Sequence, residues 1–167
     1  MCGGRASLGS LDLMRCPNGA AVIIEFAELR ELSGRVTMVD GSFDPLHDGH
    51  VAYFRAAAEL GRPLLCNVAT DDWTRTKHPV LLPRERRVRV IDALRDVAYV
   101  HAGEQSTAEV LRELIPAVYA KGVDWRDRGG IPQIEAEICR ELNIELCYLD
   151  TVLNSSTELL RRYRSGS

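Results

Sequence analysis

The sequence predicts an α/β domain, a Rossmann-like, doubly wound and mostly parallel five-stranded sheet with helices on both faces. Three observations carry that expectation. Between residues 35 and 163 short apolar runs and longer amphipathic stretches alternate five times. The short runs are continuously apolar, as strands covered on both faces are. The 167 residues, 46% apolar and 27% charged, are enough for one core without disulfide or metal staples.

Taken in order, residues 1–20 are rich in Gly, Ser and Pro, lack a sustained period, and read as a loose extension ahead of a single domain at 21–167. Residues 24–32 space their apolar groups as a helix, and Gly34 is placed to end it. A first strand at 35–40 (RVTMVD) leads to a helix over 49–60. A second strand at 63–69, a helix over 84–95 and a third strand at 97–101 follow. A helix over 107–114, a fourth strand at 117–121, a helix over 131–142, a fifth strand at 144–149 and a helix over 156–163 complete the pattern. Ligands of open parallel sheets bind beyond the carboxyl ends of the strands, near the point where strand order reverses. The segments after Asp40, Ala69, Lys121 and Leu149 are therefore where chemistry is expected.

Charge and composition exclude several classes. With 21 Lys plus Arg against 24 Asp plus Glu, the net charge is −3. Nucleic-acid binding through an overall basic field is not expected. Residues 75–89 are the local exception, with six basic side chains and one acid, a segment of +5 that leaves −8 for the rest. A small anionic partner fits that contrast. The longest apolar run, 20–24, is far short of the ~20 residues of a membrane span. The five cysteines (Cys2, Cys16, Cys66, Cys139, Cys147) form no CxxC pair and have no histidine at ligand spacing, so they read as reduced thiols. Together with the absence of a signal-peptide pattern, they lead to the expectation of a cytoplasmic protein.

The loop after the first strand, GSFDPLHDGH at 41–50, concentrates the chemistry. Gly41 allows a close backbone turn and Pro45 stiffens the loop. His47 and His50, three apart where the loop enters a helix, can both face one ligand. A helix start also offers unpaired N–H groups and a positive dipole end, a site for phosphate. Surface decoration or a structural metal would be the ordinary reading of two loop histidines. Their place at a strand's carboxyl end, inside a glycine-bracketed loop, favours the phosphate reading.

GSFDPLHDGH resembles the HxGH signature of the nucleotidyltransferase (cytidylyltransferase-like) superfamily, and the likeness runs over about 26–163. Within that superfamily the chain is most similar to glycerol-3-phosphate cytidylyltransferase and the adenylyltransferase domain of ADP-heptose synthase. TDDWTRTKHP resembles the lysine-bearing loop after the second strand, and PRERRVRVIDALRDV the helix that carries a phosphate-binding arginine, here Arg87. AKGVDW resembles both the KGGDY of the heptose enzymes and the GDDW of the cytidylyltransferases, and NSSTELLRR the closing ST motif.

The resemblance implies direct transfer of a nucleoside monophosphate, CMP favoured, from CTP or ATP to a small phosphorylated sugar, polyol or related phosphate or phosphonate, releasing pyrophosphate. It implies His47, His50, Lys77 and Arg87 as catalytic residues, with Mg²⁺ accompanying the triphosphate and no dedicated protein metal site. It implies nucleotide contacts from Gly41, Ser42, Phe43, Asp44, Gly49, Lys121, Gly122, Asp124, Trp125, Ser155, Ser156 and Thr157, and a homodimer. Lys77 would act as a point charge over the phosphates and Arg87 as a planar fork. Two alternatives accompany it: adenylyl transfer to a sugar phosphate of the heptose type, and a nucleotide-binding regulator without turnover. The RTEGIST of the glycerol-phosphate cytidylyltransferases corresponds to TVLNSST here, so Thr151 and Leu153 replace their arginine and acid, and Ala98 stands where those enzymes have another acid.

Overall fold

The computed structural model describes residues 21–151, 161–163 and 165. The expected extension at 1–20, nearly all of the expected helix at 156–163, and the candidate residues Ser155, Ser156 and Thr157 lie outside the described residues.

The sheet has six parallel strands: β1 (Val22–Ile23), β2 (Thr37–Gly41), β3 (Leu64–Val68), β4 (Tyr99–His101), β5 (Val118–Gly122) and β6 (Glu145–Leu149). Their spatial order is β1-β4-β3-β2-β5-β6. Five strands were expected. The sixth, β1, is a two-residue edge strand paired with β4 through Val22↔Tyr99 and Ile23↔Val100, too short to show any period in the sequence.

A 3₁₀ helix η1 (Phe26–Leu32) and the helices α1 (Asp48–Ala58), α2 (Asp71–Arg75), α3 (Arg84–Asp92), α4 (Thr107–Leu114), α5 (Val123–Asp127) and α6 (Gln133–Glu141) connect the strands. The helix expected from residue 24 begins at Phe26, because Ile24 N–H still donates to Val100 O at 2.9 Å. Reciprocal bonds between Glu25 and Glu28 then start η1. The five-residue helices α2 and α5 were not expected from the sequence, each being little more than one turn.

The strands send alternate residues to two separate cores. Met38, Leu65 and Tyr119 join Leu29, Leu32, Val110, Leu111, Leu114 and Ile138 beneath η1, α4 and α6. Val39, Cys66, Val100 and Ala120 join Phe54, Ala57 and Ile91 beneath α1 and α3. Burial on both faces explains the continuous apolar runs, and each fully buried Leu or Ile contributes about 1.5–3 kcal/mol relative to exposure.

From β2 the chain crosses to β3 on one side, and from β4 it returns to β5 on the other. The carboxyl ends of β2 and β5 therefore part. Their pairing covers Thr37↔Val118 and Met38↔Tyr119, whereas β2 pairs with β3 as far as Gly41↔Val68. Beyond this divergence Asp40 and Lys121 face a crevice, spanned below by Tyr53 of α1, whose hydroxyl donates to Ala120 O at 2.7 Å. No helix among the described residues is long and apolar enough to cross a membrane.

Candidate active site

The loop between β2 and α1 is held from below. Phe43 has a left-handed backbone (φ 51°) and is 4% exposed. Its ring packs edge-on against His50, with centroids 5.2 Å apart, and against Phe54 at 4.9 Å. A Cβ at position 41 would lie 3.1 Å from the Phe43 ring, which is why glycine precedes this turn. Asp44, joined to Pro45 by a cis peptide bond, is fully buried. Its carboxylate accepts from Leu81 N–H at 2.8 Å and Leu82 N–H at 2.9 Å. Arg87 of α3 completes the clamp, its buried guanidinium donating to Leu82 O (3.0 Å), Ser42 O (2.6 Å) and Asp71 Oδ1 (2.6 Å).

On this support the two imidazoles stack, with ring centroids 3.8 Å apart and planes 29° from parallel. His47 is the N-cap of α1, and its Nδ1 accepts from Gly49 N–H at 3.1 Å. An accepting Nδ1 leaves the hydrogen on Nε2, which is buried without a partner. His50 Nδ1 is likewise buried and unpartnered. Burial lowers the pKa of both rings; for His50 burial first and the neighbouring His47 second bring it to about 3. Both histidines are neutral near pH 7, so the pair offers hydrogen-bonding nitrogens rather than positive charge.

The pair opens into a cavity of about 520 Å³ whose walls come from all four segments at the strand ends. Trp73, Lys77 and His78 enter from the segment after β3, Gly122 from the end of β5, Asp124 and Trp125 from α5, Arg128 from just after it, and Thr151 from beyond β6. Lys77 Nζ rests 3.8 Å from the centroid of the Trp73 ring. Burial first, and then Lys121, lower its pKa, a cost that a bound polyanion would relieve. Lys121, 3% exposed, pairs with Asp40 Oδ1 at 2.7 Å and lies 4.4 Å from the centroid of Trp125. Arg128 pairs with Asp124 at 2.8 Å.

Of the residues singled out from the sequence, Gly41, Ser42, Phe43, His47, Gly49, His50, Lys77, Lys121, Gly122, Asp124 and Trp125 converge on this cavity. Arg87 and Asp44 do not line it. Arg87 is spent on the loop's own backbone and on Asp71, and Asp44 on two amides, so the expected arginine fork is directed at protein rather than at the pocket. The amides at the start of α1 are also engaged, Gly49 N–H by His47 Nδ1 and His50 N–H by His47 O at 3.0 Å. Sequence reasoning missed Asp40, Tyr53, Trp73, His78 and Arg128, and treated Thr151 only as a departure. Trp73, four residues before Lys77 in an expected ligand loop, was the one of these with a readable signal.

A family model described as cytidylyltransferase-like matches residues 38–149. The chain is 31% identical to "Bifunctional protein HldE" of Vibrio atlanticus over 98% of its own length and 37% of that protein's. It is 31% identical to "FAD synthase" of Methanosarcina mazei over 75% of its own length and 89% of that protein's. The chain thus spans little more than a third of the bifunctional relative and most of the synthase. Among solved structures, a lipopolysaccharide core biosynthesis protein from Thermoplasma volcanium superposes with a TM-score of 0.59 at 24% identity, covering 70% of this chain and 97% of that one. A protein of unknown function from Archaeoglobus fulgidus superposes with a TM-score of 0.54 at 17% identity, covering 73% and 93%. These two likenesses bear on the fold alone.

Proposed function

The chain belongs to the cytidylyltransferase-like family, and from that premise we propose that it is a nucleotidyltransferase joining a nucleoside monophosphate to a small phosphorylated acceptor. An acceptor phosphate oxygen attacks the α-phosphorus of a nucleoside triphosphate. The bond to the β-phosphate breaks and pyrophosphate leaves, with no covalent enzyme intermediate. The observation that carries this reading is the stacked, neutral pair His47–His50, with buried unpartnered nitrogens at the switch-point cavity.

The His47 Nε2–H is an uncharged donor suited to an α-phosphate oxygen on which charge builds. His50 stays neutral through the physiological range and so acts by hydrogen bonding and position, not by giving up a proton. Lys77 and Lys121 supply the positive charge, one from the segment after β3 and the other from the end of β5. Arg87 and Asp44 hold the loop that aims the imidazoles. Among the described residues no cluster of three or more His, Cys, Asp or Glu could hold a metal. Mg²⁺ accompanying the triphosphate would contribute by neutralising phosphate charge.

ATP is the favoured donor, because the product in the name FAD synthase is an adenine dinucleotide. CTP remains the second reading, on the strength of the GVDW segment, which brings Trp125 to the pocket wall. Pyrophosphate release from ATP, CTP, GTP and UTP, each against sugar phosphates, polyol phosphates and flavin mononucleotide, tests the proposal. One productive pair identifies base and acceptor together. Triphosphate binding without pyrophosphate release from any pair would instead mark a regulator.

A further inference from the structure

The Tyr119 hydroxyl, on a side chain with no solvent exposure, lies 2.9 Å from Asp40 Oδ1 and 2.9 Å from Glu135 Oε2. A phenol has one hydrogen and can donate to only one of them. Asp40 is well supplied as an acceptor, with Lys121 Nζ at 2.7 Å and Thr107 Oγ1 at 3.1 Å. Glu135, 8% exposed, has no cation within ion-pair distance among the described residues. With both carboxyls ionised, one of them would meet phenol lone pairs at hydrogen-bond distance in a buried site, a costly arrangement. One additional proton resolves the geometry. Glu135 Oε2–H donates to the Tyr119 oxygen, Tyr119 O–H donates to Asp40, and Asp40 holds the Lys121 ammonium.

Resting on the reading that the cavity takes a triphosphate, we propose that Glu135 is a positioning residue of this site, a neutral acid that orients Tyr119 towards Asp40 and so fixes Lys121 on the pocket wall. The groups facing it are Asp40 from β2, Tyr119 and Lys121 from β5, uncharged Thr107 of α4 beyond Asp40, and Cys139 one turn along α6. The Cys139 thiol is pushed up to about 11 and stays neutral. Burial first and the Asp40 charge second raise the Glu135 carboxyl above its ordinary range, with Lys121 opposing. When Glu135 ionises, two carboxylates confront one ammonium. Lys121 is then held inward, and the wall gains a negative charge that repels phosphate.

The test uses the full chain and Glu135→Gln, which mimics the neutral acid in shape. At pH 7 wild-type protein shows the infrared band of a buried neutral carboxylic acid, and Glu135→Gln lacks that difference band. Affinity for ATP and CTP, followed upward in pH until the acid band is lost, falls about tenfold in wild type as Glu135 ionises, the size of a one-unit coupling. In Glu135→Gln it holds near the wild-type pH 7 value and loses that inflection. Tyr119→Phe, which removes the relay without adding charge, binds nucleotide more weakly at pH 7, because Asp40 and Lys121 lose the hydroxyl that orients them. A missing acid band, or an unchanged pH profile in Glu135→Gln, overturns the proposal. If neither nucleotide binds any form, the functional reading fails while the band still decides where the proton resides.

Discussion

Replacing His47 by Ala and by Asn separates two roles that the structure assigns to one ring. Nδ1 caps α1 by accepting from Gly49 N–H at 3.1 Å, while Nε2 is buried and unpartnered at the cavity. Alanine removes both. Loss of the cap costs about 1 kcal/mol. For a domain of this size that lowers Tm by about 2–4 °C. Loss of a preorganised donor costs about 10²–10³ in kcat, or ~3–4 kcal/mol of transition-state stabilisation. Asparagine restores the cap, since its side-chain oxygen reaches the same amide, but it does not reach the Nε2 position. His47→Asn is therefore expected to melt within a degree or two of wild type and to remain as slow as His47→Ala. Calorimetry and initial rates of pyrophosphate release with the productive substrate pair give both numbers. Near-normal turnover in His47→Asn would refute the donor role, and an unchanged Tm in His47→Ala would refute the cap.

His50→Ala is expected to keep the fold and lose nearly all turnover; near-normal turnover would remove the basis of the twin-imidazole site. An unfolded histidine takes up its proton near pH 6.5, whereas folded His50 stays neutral down to about 3. Its contribution to stability is thus complete above pH 6.5 and shrinks as pH falls towards 3. Denaturant midpoints between pH 7.5 and 4.5 should fall more steeply for wild type than for His50→Gln, and equal slopes would contradict the depressed value. Arg87→Met strands Asp71 and two carbonyls around a buried site and should cost about 3–5 kcal/mol. A normal Tm with lost kcat would instead return Arg87 to the substrate-binding role expected from the sequence. Both tryptophans of the chain, Trp73 and Trp125, line the cavity, and Lys77 rests on Trp73. Nucleotide titration should give a saturable change in intrinsic fluorescence, reduced in Trp73→Phe; no change on binding would remove Trp73 and Trp125 from the nucleotide's surroundings.

Apolar runs long enough to show a period announced five of the six strands, because burial on both faces leaves a continuous imprint on local sequence. The GSFDPLHDGH loop was legible for a related reason: its glycine, proline and paired histidines satisfy constraints confined to ten neighbouring residues. The edge strand at Val22–Ile23 and the helices Asp71–Arg75 and Val123–Asp127 left no such imprint, since two or five residues cannot show a repeat. Arg87 was visible as a basic side chain on an expected helix, but its partners, Ser42 O and Asp71, were not, because only folding brings them together. The same holds for Asp40, Tyr119, Lys121 and Glu135, which three separate elements deliver to one buried cluster. The sequence by itself determined the alternation of strands and helices and the residue types at the crevice. The tertiary structure alone decided which charges face the cavity and which face each other, because those pairings depend on strand order and on distances between segments remote along the chain.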